Sequence, residues 1–338
     1  MADAEDTART LRVGLVGAGM ISRHHLIAWE RADAAEVVAI CDPDRDRARA
    51  RAGEHGIEHV HGDVDAMLEA ATLDVVDVVS PRETHAEMVR AAVGRGLDVM
   101  CQKPLCPTLA EARALVSEVG ERVRLMVHEN WRFRPWYRCA HRWLGEGRLG
   151  EVRQARMSVF GAGLLADAEG RYPALERQPF FRNERRLLIA ESLIHHIDVL
   201  RWLLGPLRVL AARTARGVPV VAGETLASIL LETAEGAPVV LEANLSAHGY
   251  AARATDALVV IGARDTLTLE GPQLRLAGDG KCRETFDADA GYQASFDAAI
   301  AHFLDCLRRQ TPFETGASDN LETLALVEAL YAAADPSA

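Results

Sequence analysis

The chain has too little basic charge, no long apolar run and no paired cysteines, and each absence excludes a class of partner or setting. Lysines and arginines number 38 against 49 acids in 338 residues, a net charge of −11. A nucleic acid or an anionic bilayer would be repelled by such a surface, so neither is expected as a partner. No apolar run approaches the ~20 residues that span a membrane. The opening Met1-Ala-Asp-Ala-Glu-Asp6 has neither the basic nor the apolar region of a secretory leader, and residues 1–10 read as a disordered lead-in. Cys41, Cys101, Cys106, Cys139, Cys282 and Cys306 form no C-x-x-C pair and no zinc-ligand spacing. They read as scattered buried thiols of a reducing compartment, which makes the cytoplasm the expected location. Nothing around His24, His25, His55, His59 and His61 enforces a metal site, and no metal is expected. Repeats and low-complexity segments are also missing.

What is present begins at once. The apolar run Leu11–Val16 ends in Gly17-Ala-Gly19-x-x-Ser22, followed by a helical pattern. Gly17 suits a tight strand-to-helix turn. Gly19 leaves room for a pyrophosphate over the free N–H groups and positive dipole end of the next helix. Ser22 occupies the position where Gly or Ala is usual and is small enough to let helix pack on strand. About 20 residues on, a second Val-rich strand ends in Asp42, where a ribose-binding carboxylate is expected. Together these features predict a dinucleotide-binding unit.

Strand-like runs at 11–16, 37–41, 73–79, 97–101 and 123–127 alternate with helical patterns, two of them opened by apparent capping boxes, Thr84-x-x-Glu87 and Thr108-x-x-Glu111. Alternation of short apolar strands with helices predicts a parallel, doubly wound sheet. From Glu151 strands recur without helices between them, at 152–160, 207–214, 225–232, 238–246, 257–262 and 266–270. A helical pattern at 187–204 interrupts them, and two helices at 292–309 and 319–334 close the chain. The expected organisation is α/β: a Rossmann domain over 11–134, then an α+β domain over 135–338 with a mainly antiparallel open sheet. The last helices are expected to be able to return to the first domain.

Two constellations carry chemistry. The fifth strand ends in Cys101-Gln102-Lys103-Pro104, which puts Lys103 at the carboxyl edge of the sheet, where ligands of this architecture bind. Further on, Glu191, His195 and Asp198 fall at i, i+4 and i+7 and share one face of an ideal helix. An imidazole flanked by carboxylates suits proton transfer near neutral pH, and a structural His–Asp contact explains the same spacing.

Taken in order, these residues resemble the glucose–fructose oxidoreductase / inositol dehydrogenase (Gfo/Idh/MocA) family. The matching positions are Gly-Ala-Gly-Met at 17–20, Asp42-Pro43, Pro81-x-x-x-His85, Gln102-Lys103-Pro104, Asn130-x-Arg132-Phe133, the Glu191…His195…Asp198 helix and the closing run from Thr315. The resemblance implies an NAD(P)-dependent oxidoreductase acting on a sugar, cyclitol or related polyol. Lys103, His195 and Glu191 take the catalytic positions. Gly17, Gly19, Met20, Ile21, Asp42, Ser80, Pro81, His85, Gln102 and Lys103 take those around the cofactor. Three positions depart from the usual pattern: Glu191 for Asp, Leu193 for Gly and Gln102 for Glu.

In the expected reaction, hydride passes between a carbinol carbon and the nicotinamide, His195 takes the hydroxyl proton, and Lys103 stabilises charge on the oxygen. Asp42 favours NAD over NADP, although Arg45 and Arg47 follow it closely. Asn130, Trp131, Arg132, Arg185 and Asp198 are expected to meet the substrate. Sugars stack on aromatic faces, and the arginines around Arg132 and Arg185 suggest an acidic sugar or phosphorylated polyol. Relatives of this kind also include redox-neutral glycosidases that use NAD transiently and non-catalytic dinucleotide sensors. The family further implies a homodimer or homotetramer.

Overall fold

In the computed structural model, which describes residues 9–278 and 282–334, the alternating runs pair as a parallel six-stranded sheet. Of the lead-in expected over 1–10, only Arg9 and Thr10 fall among the described residues. The elements run β1 (Leu11–Val16), α1 (Ser22–Glu30), β2 (Ala35–Cys41), α2 (Arg45–His55), β3 (His59–His61), α3 (Val64–Ala70), β4 (Val75–Val78), α4 (His85–Gly94), β5 (Asp98–Gln102), α5 (Leu109–Val119) and β6 (Leu125–His128). The sheet order β3-β2-β1-β4-β5-β6 reverses beside β1 and β4, the switch point at which such sheets bind ligands. β3 is a three-residue strand in the histidine-containing segment, too short and too polar to register as an apolar run.

Helices cover the sheet, so its central strands are apolar on both faces. Leu15, Ile40 and Leu26 are fully buried, and with Ala48, Ala52 and Ile57 they seal β1 and β2 against α1 and α2. Each such large side chain contributes about 1.5–3 kcal/mol relative to exposure. Side-chain caps fix several helix starts. Asp44 accepts from Arg47 N at 3.0 Å, Asp63 from Ala66 N at 2.8 Å, and Thr108 from Glu111 N at 3.2 Å. The box expected at Thr84 does not form. A short 3₁₀ turn (Arg82–Thr84) precedes α4, and the Thr84 hydroxyl donates to the Pro81 carbonyl instead.

The next elements are α6 (Pro135–Gly145), β7 (Val152–Phe160), α7 (Pro173–Arg177), α8 (Ile194–Leu204), β8 (Leu207–Ala215), β9 (Leu226–Thr233), β10 (Pro238–Asn244), β11 (Thr255–Gly262), β12 (Thr266–Glu270), β13 (Gln273–Leu276) and β14 (Arg283–Thr285). Helices α9 (Ala288–Arg309) and α10 (Ala317–Ala334) follow. The eight strands form one sheet, ordered β14-β13-β12-β11-β7-β10-β9-β8, antiparallel except where β10 runs parallel to β7. One face is buried through alternate residues such as Met157, Leu241, Ile229 and Leu258. On the other, the cross-strand row Leu230–Val240–Arg156–Val259 stays partly or fully exposed.

The chain divides into two compact units. The first comprises the chain up to Asn130 together with Gln293–Leu321, and the second comprises Trp131–Tyr292 with the chain from Glu322. Among the described residues no helix is long and apolar enough to cross a membrane.

The turn between β1 and α1 sets one sharp requirement. Gly17 has φ +104°, and a Cβ there would lie 2.7 Å from the Val79 carbonyl oxygen. At Gly19 a Cβ would meet nothing within 4 Å. Gly17→Ala is therefore expected to cost on the order of 1–3 kcal/mol in thermal or denaturant unfolding, while Gly19→Ala leaves stability unchanged or slightly raised. Equal losses in both variants would contradict this reading of the turn.

Candidate active site

The first turns of α1 have no side-chain cap and no acidic residue. The hydroxyl of Ser22 donates to the Gly19 carbonyl at 2.6 Å, which is what serine adds at a position usually held by Gly or Ala. The open space over Gly19 and the uncapped N–H groups of a nine-residue helix fit a pyrophosphate. Met20 is 43% exposed beside this turn and Ile21 opens the helix. The Asp42 carboxylate accepts from Ala18 N and Asp44 N, both at 2.8 Å, which ties the end of β2 to the glycine turn. Each oxygen retains a lone pair for a ribose hydroxyl. The Arg47 guanidinium lies 3.5 Å from one of them. These residues fit the dinucleotide that the fingerprint implies.

Beyond the glycine turn lies a fully buried polar wall. Asp77 on β4 accepts from Trp29 Nε1 at 2.7 Å and from His25 Nδ1 at 2.8 Å. The Gln102 amide nitrogen sits 2.7 Å from His25 Nε2 and 3.1 Å from His128 Nδ1, donating to both rings. That arrangement leaves His25 Nδ1 to carry the proton facing Asp77. Gln102, at the position where the family usually has Glu, thus spends its amide inside the wall and fixes the strand end that presents Lys103. Sequence spacing gave no sign of the His25–Asp77 contact, because its partners come from different strand–helix units.

His85 is equally buried. Its Nδ1 lies 2.9 Å from the Pro104 carbonyl and its Nε2 lies 2.9 Å from that of Ser80. Burial pushes the ring below the usual histidine range, against the pull of those carbonyls. His85 thus sits between the loop after β4 and the turn after Lys103, and as a neutral ring donates its single N–H to one of the two carbonyls. Ser80 meets the Thr84 hydroxyl at 2.7 Å, and Pro81 is exposed. Lys103 itself is half-buried. It is one of two lysines in the chain, the other being Lys281, although lysine and arginine together number 38.

In the second unit the helix expected over 187–204 is not uniform. Leu188–Leu193 forms a π-helical turn, and α8 begins only at Ile194. The wider turn breaks the 3.6-residue period, so Glu191 does not share an ideal face with His195 and Asp198. The start of this turn is held by Glu224, which accepts from Leu187 N at 3.2 Å, Ile189 N at 3.1 Å and Tyr331 Oη at 2.5 Å. Burial, then Glu224, pushes the Tyr331 phenol far above its usual range.

Several residues expected to meet substrate have other partners. Arg132 donates twice to Asp198, at 2.5 and 2.7 Å, with side chains 3% and 1% exposed. Thr323 adds a third donor to Asp198 at 2.7 Å. This bidentate pair fixes α8 from within, and both residues are buried. Asn130, in the first unit, donates to Ser295 Oγ at 2.7 Å and is buried. Arg186 makes a bidentate pair with Glu328, both bonds 2.9 Å. Arg185 is exposed.

Trp131 is engaged on its ring. Its ring stacks on His195 at 3.9 Å between centroids and 9° between planes, and the Arg134 guanidinium lies 3.5 Å from the Trp131 ring centre. Two groups so close to one ring centre flank it on opposite faces. Arg134 in turn donates to Asp256 at 3.2 Å, as does Tyr137 Oη at 2.9 Å, and His196 Nε2 meets the other oxygen at 2.9 Å. Burial alone would raise the Asp256 carboxyl, but His196 and Arg134 outweigh it and hold the group far below the usual range. None of this cluster is legible in the sequence, since Asp256 is the second residue of β11, remote in sequence from its partners.

Comparison with known proteins follows the same residues. Positions 11–129 match the model of an oxidoreductase family with an NAD-binding Rossmann fold, and 137–268 match the GFO/IDH/MocA C-terminal domain. A D-apiose dehydrogenase of Paraburkholderia graminis is 34% identical, covering 97% of this chain and 88% of the relative. Inositol 2-dehydrogenase 4 of Saccharopolyspora erythraea is 31% identical, covering 96% and 94%. Among solved structures, an oxidoreductase from Agrobacterium radiobacter in complex with NAD+, L-tartaric acid and magnesium has a TM-score of 0.89 at 28% identity, covering 97% of each chain. With both domain models matched in order and relatives alike along nearly its whole length, the chain belongs to the Gfo/Idh/MocA family of oxidoreductases.

Proposed function

We propose that the protein is an NAD-dependent dehydrogenase of a neutral sugar or cyclitol, with Lys103 and His195 as its catalytic residues. The observation that carries this reading is the lysine itself. A chain that meets almost all its need for positive charge with arginine keeps a lysine at the end of β5, beside the buried wall. Arginine cannot release its proton near neutral pH, whereas a lysine is a compact donor whose charge can be tuned.

The bound nicotinamide would accept or return the hydride. Gly17, Gly19, Met20, Ile21 and Asp42 hold the dinucleotide, with Ser80 and Pro81 at the neighbouring strand end. His85 and Gln102 act through the backbone they fix. Lys103 hydrogen-bonds the carbinol oxygen and stabilises negative charge as it develops. His195 accepts the hydroxyl proton. Glu191, half-buried on the π turn, assists His195 or the substrate.

A neutral substrate is favoured over the acidic one that the arginines suggested. Arg132, Arg134 and Arg186 are each paired with a carboxylate, Asp198, Asp256 and Glu328. Relatives acting on D-apiose and inositol support the same choice.

Lys103→Met is expected to lower kcat by about 10²-fold or more, with NAD affinity nearly unchanged, and Lys103→Arg is expected not to restore it. Near-normal turnover in Lys103→Met, assayed on D-apiose, myo-inositol and tartrate, would end this assignment.

We further place the protein in the cytoplasm as a homodimer or homotetramer. All six cysteines are free thiols, five of them buried, and the sheet row through Leu230, Val240 and Val259 offers a face for a second copy. Sedimentation at micromolar concentration is expected to give a dimer or larger, and a monomer would count against the face.

A further inference from the structure

The residues stacked behind His195 form a device of their own, built wholly within the second unit. Trp131 presents one face to the His195 ring at 3.9 Å and the other to Arg134 at 3.5 Å. Its edges meet Tyr292 at 6.0 Å and 83° and His196 at 6.2 Å and 68°. Arg134 is also 5.3 Å from the Trp136 ring and 5.7 Å from that of Tyr292. It donates to Asp256 Oδ2 at 3.2 Å, an oxygen that also accepts from the buried Tyr137, while His196 meets Oδ1.

We propose that Trp131, backed by the Arg134–Asp256 pair, is the positioning residue that fixes the ring plane of His195. The inference rests on the reading of His195 as proton acceptor.

An imidazole on a helix has two torsions. Its position along the chain is set by α8, but rotation about the second torsion is soft. A parallel indole at van der Waals distance restricts that rotation to the stacked orientation. An indole free to tilt would restrict nothing. The guanidinium on its far face removes that freedom, since cation–π attraction and close packing oppose any movement of the ring. A buried guanidinium must itself be paired, and Asp256 supplies the pair. Because His196 follows His195 directly, its bond to Asp256 couples the backbone of the proposed catalytic histidine to the carboxylate that anchors the stack.

This arrangement assigns Trp131 a role that touches neither substrate nor cofactor. Loss of the stack should then act on turnover rather than on substrate affinity. A ring that samples wrong orientations lowers the fraction of productive complexes and leaves binding intact.

The test uses the full-length protein and two readouts. Nuclear magnetic resonance of the histidine ring protons, with the His195 signals assigned by their loss in His195→Gln, should show those signals shifted upfield by the indole ring current. Trp131→Leu should remove that shift and lower kcat by about tenfold or more, with KM changed by less than about threefold. Trp131→Phe keeps an aromatic face and should restore most of both. His195 signals at ordinary positions in the wild type would overturn the proposal whether or not the Trp131 variants fold. So would a Trp131→Leu enzyme with unchanged kcat, or one whose loss falls on KM alone. The ring shift requires no turnover. A His195→Gln enzyme that kept its activity would therefore overturn the proton-acceptor reading separately from the stack.

Discussion

The candidate site of the second unit depends on one largely buried carboxylate, Asp256, whose side chain is 11% exposed. Asp256 gathers a guanidinium, a phenol and an imidazole, and through Arg134 and His196 it reaches both the indole behind His195 and the residue next to it. Such a cluster is a poor source of net stability, because desolvating the charges offsets most of their attraction. Removing Arg134 or Asp256 alone is a different matter, costing about 3–5 kcal/mol because it strands the other's charge. The arrangement is therefore hard to alter one residue at a time. What it supplies is a single geometry for the groups it holds. Asp198 does the same for the body of α8, through Arg132, and Glu224 for the start of the helix.

The first unit follows a similar logic with less charge. Asp77, His25, Gln102 and His128 line a wall with no exposure to water beyond a trace at Gln102. His85 spans two carbonyls on either side of the strand ends. Both units thus place a side chain proposed as catalytic, Lys103 or His195, beside a support whose members pair largely with one another.

Much of this was legible in the sequence and part of it was not, for physical reasons. The β1–Gly17–α1 turn and the Asp42 position announce themselves because the backbone conformation and the strand spacing are local. Strands β7 and β12 lie where alternation puts them, at Val152–Phe160 and Thr266–Glu270. Expectations failed where local rules met tertiary context. A 3₁₀ turn took Thr84 out of its capping role, and the π turn at Leu188–Leu193 moved Glu191 off the face that a period of 3.6 assigns. Trp131 and Arg132 look like ligand-binding residues in a list of residue types. Only the fold shows that they also meet His195, Arg134 and Asp198. The strands β13 and β14 are short and half polar, and no run of apolar residues marks them.

The central claim is net hydride transfer from a polyol carbon. The most direct measurement follows a deuterium label placed on the carbinol carbons of D-apiose and of myo-inositol during incubation with the enzyme and NAD+. One deuterium per turnover recovered on the nicotinamide ring of NADH is the result expected. Tight NAD binding with no label transferred, or label that returns to the sugar while NADH fails to accumulate, would contradict it.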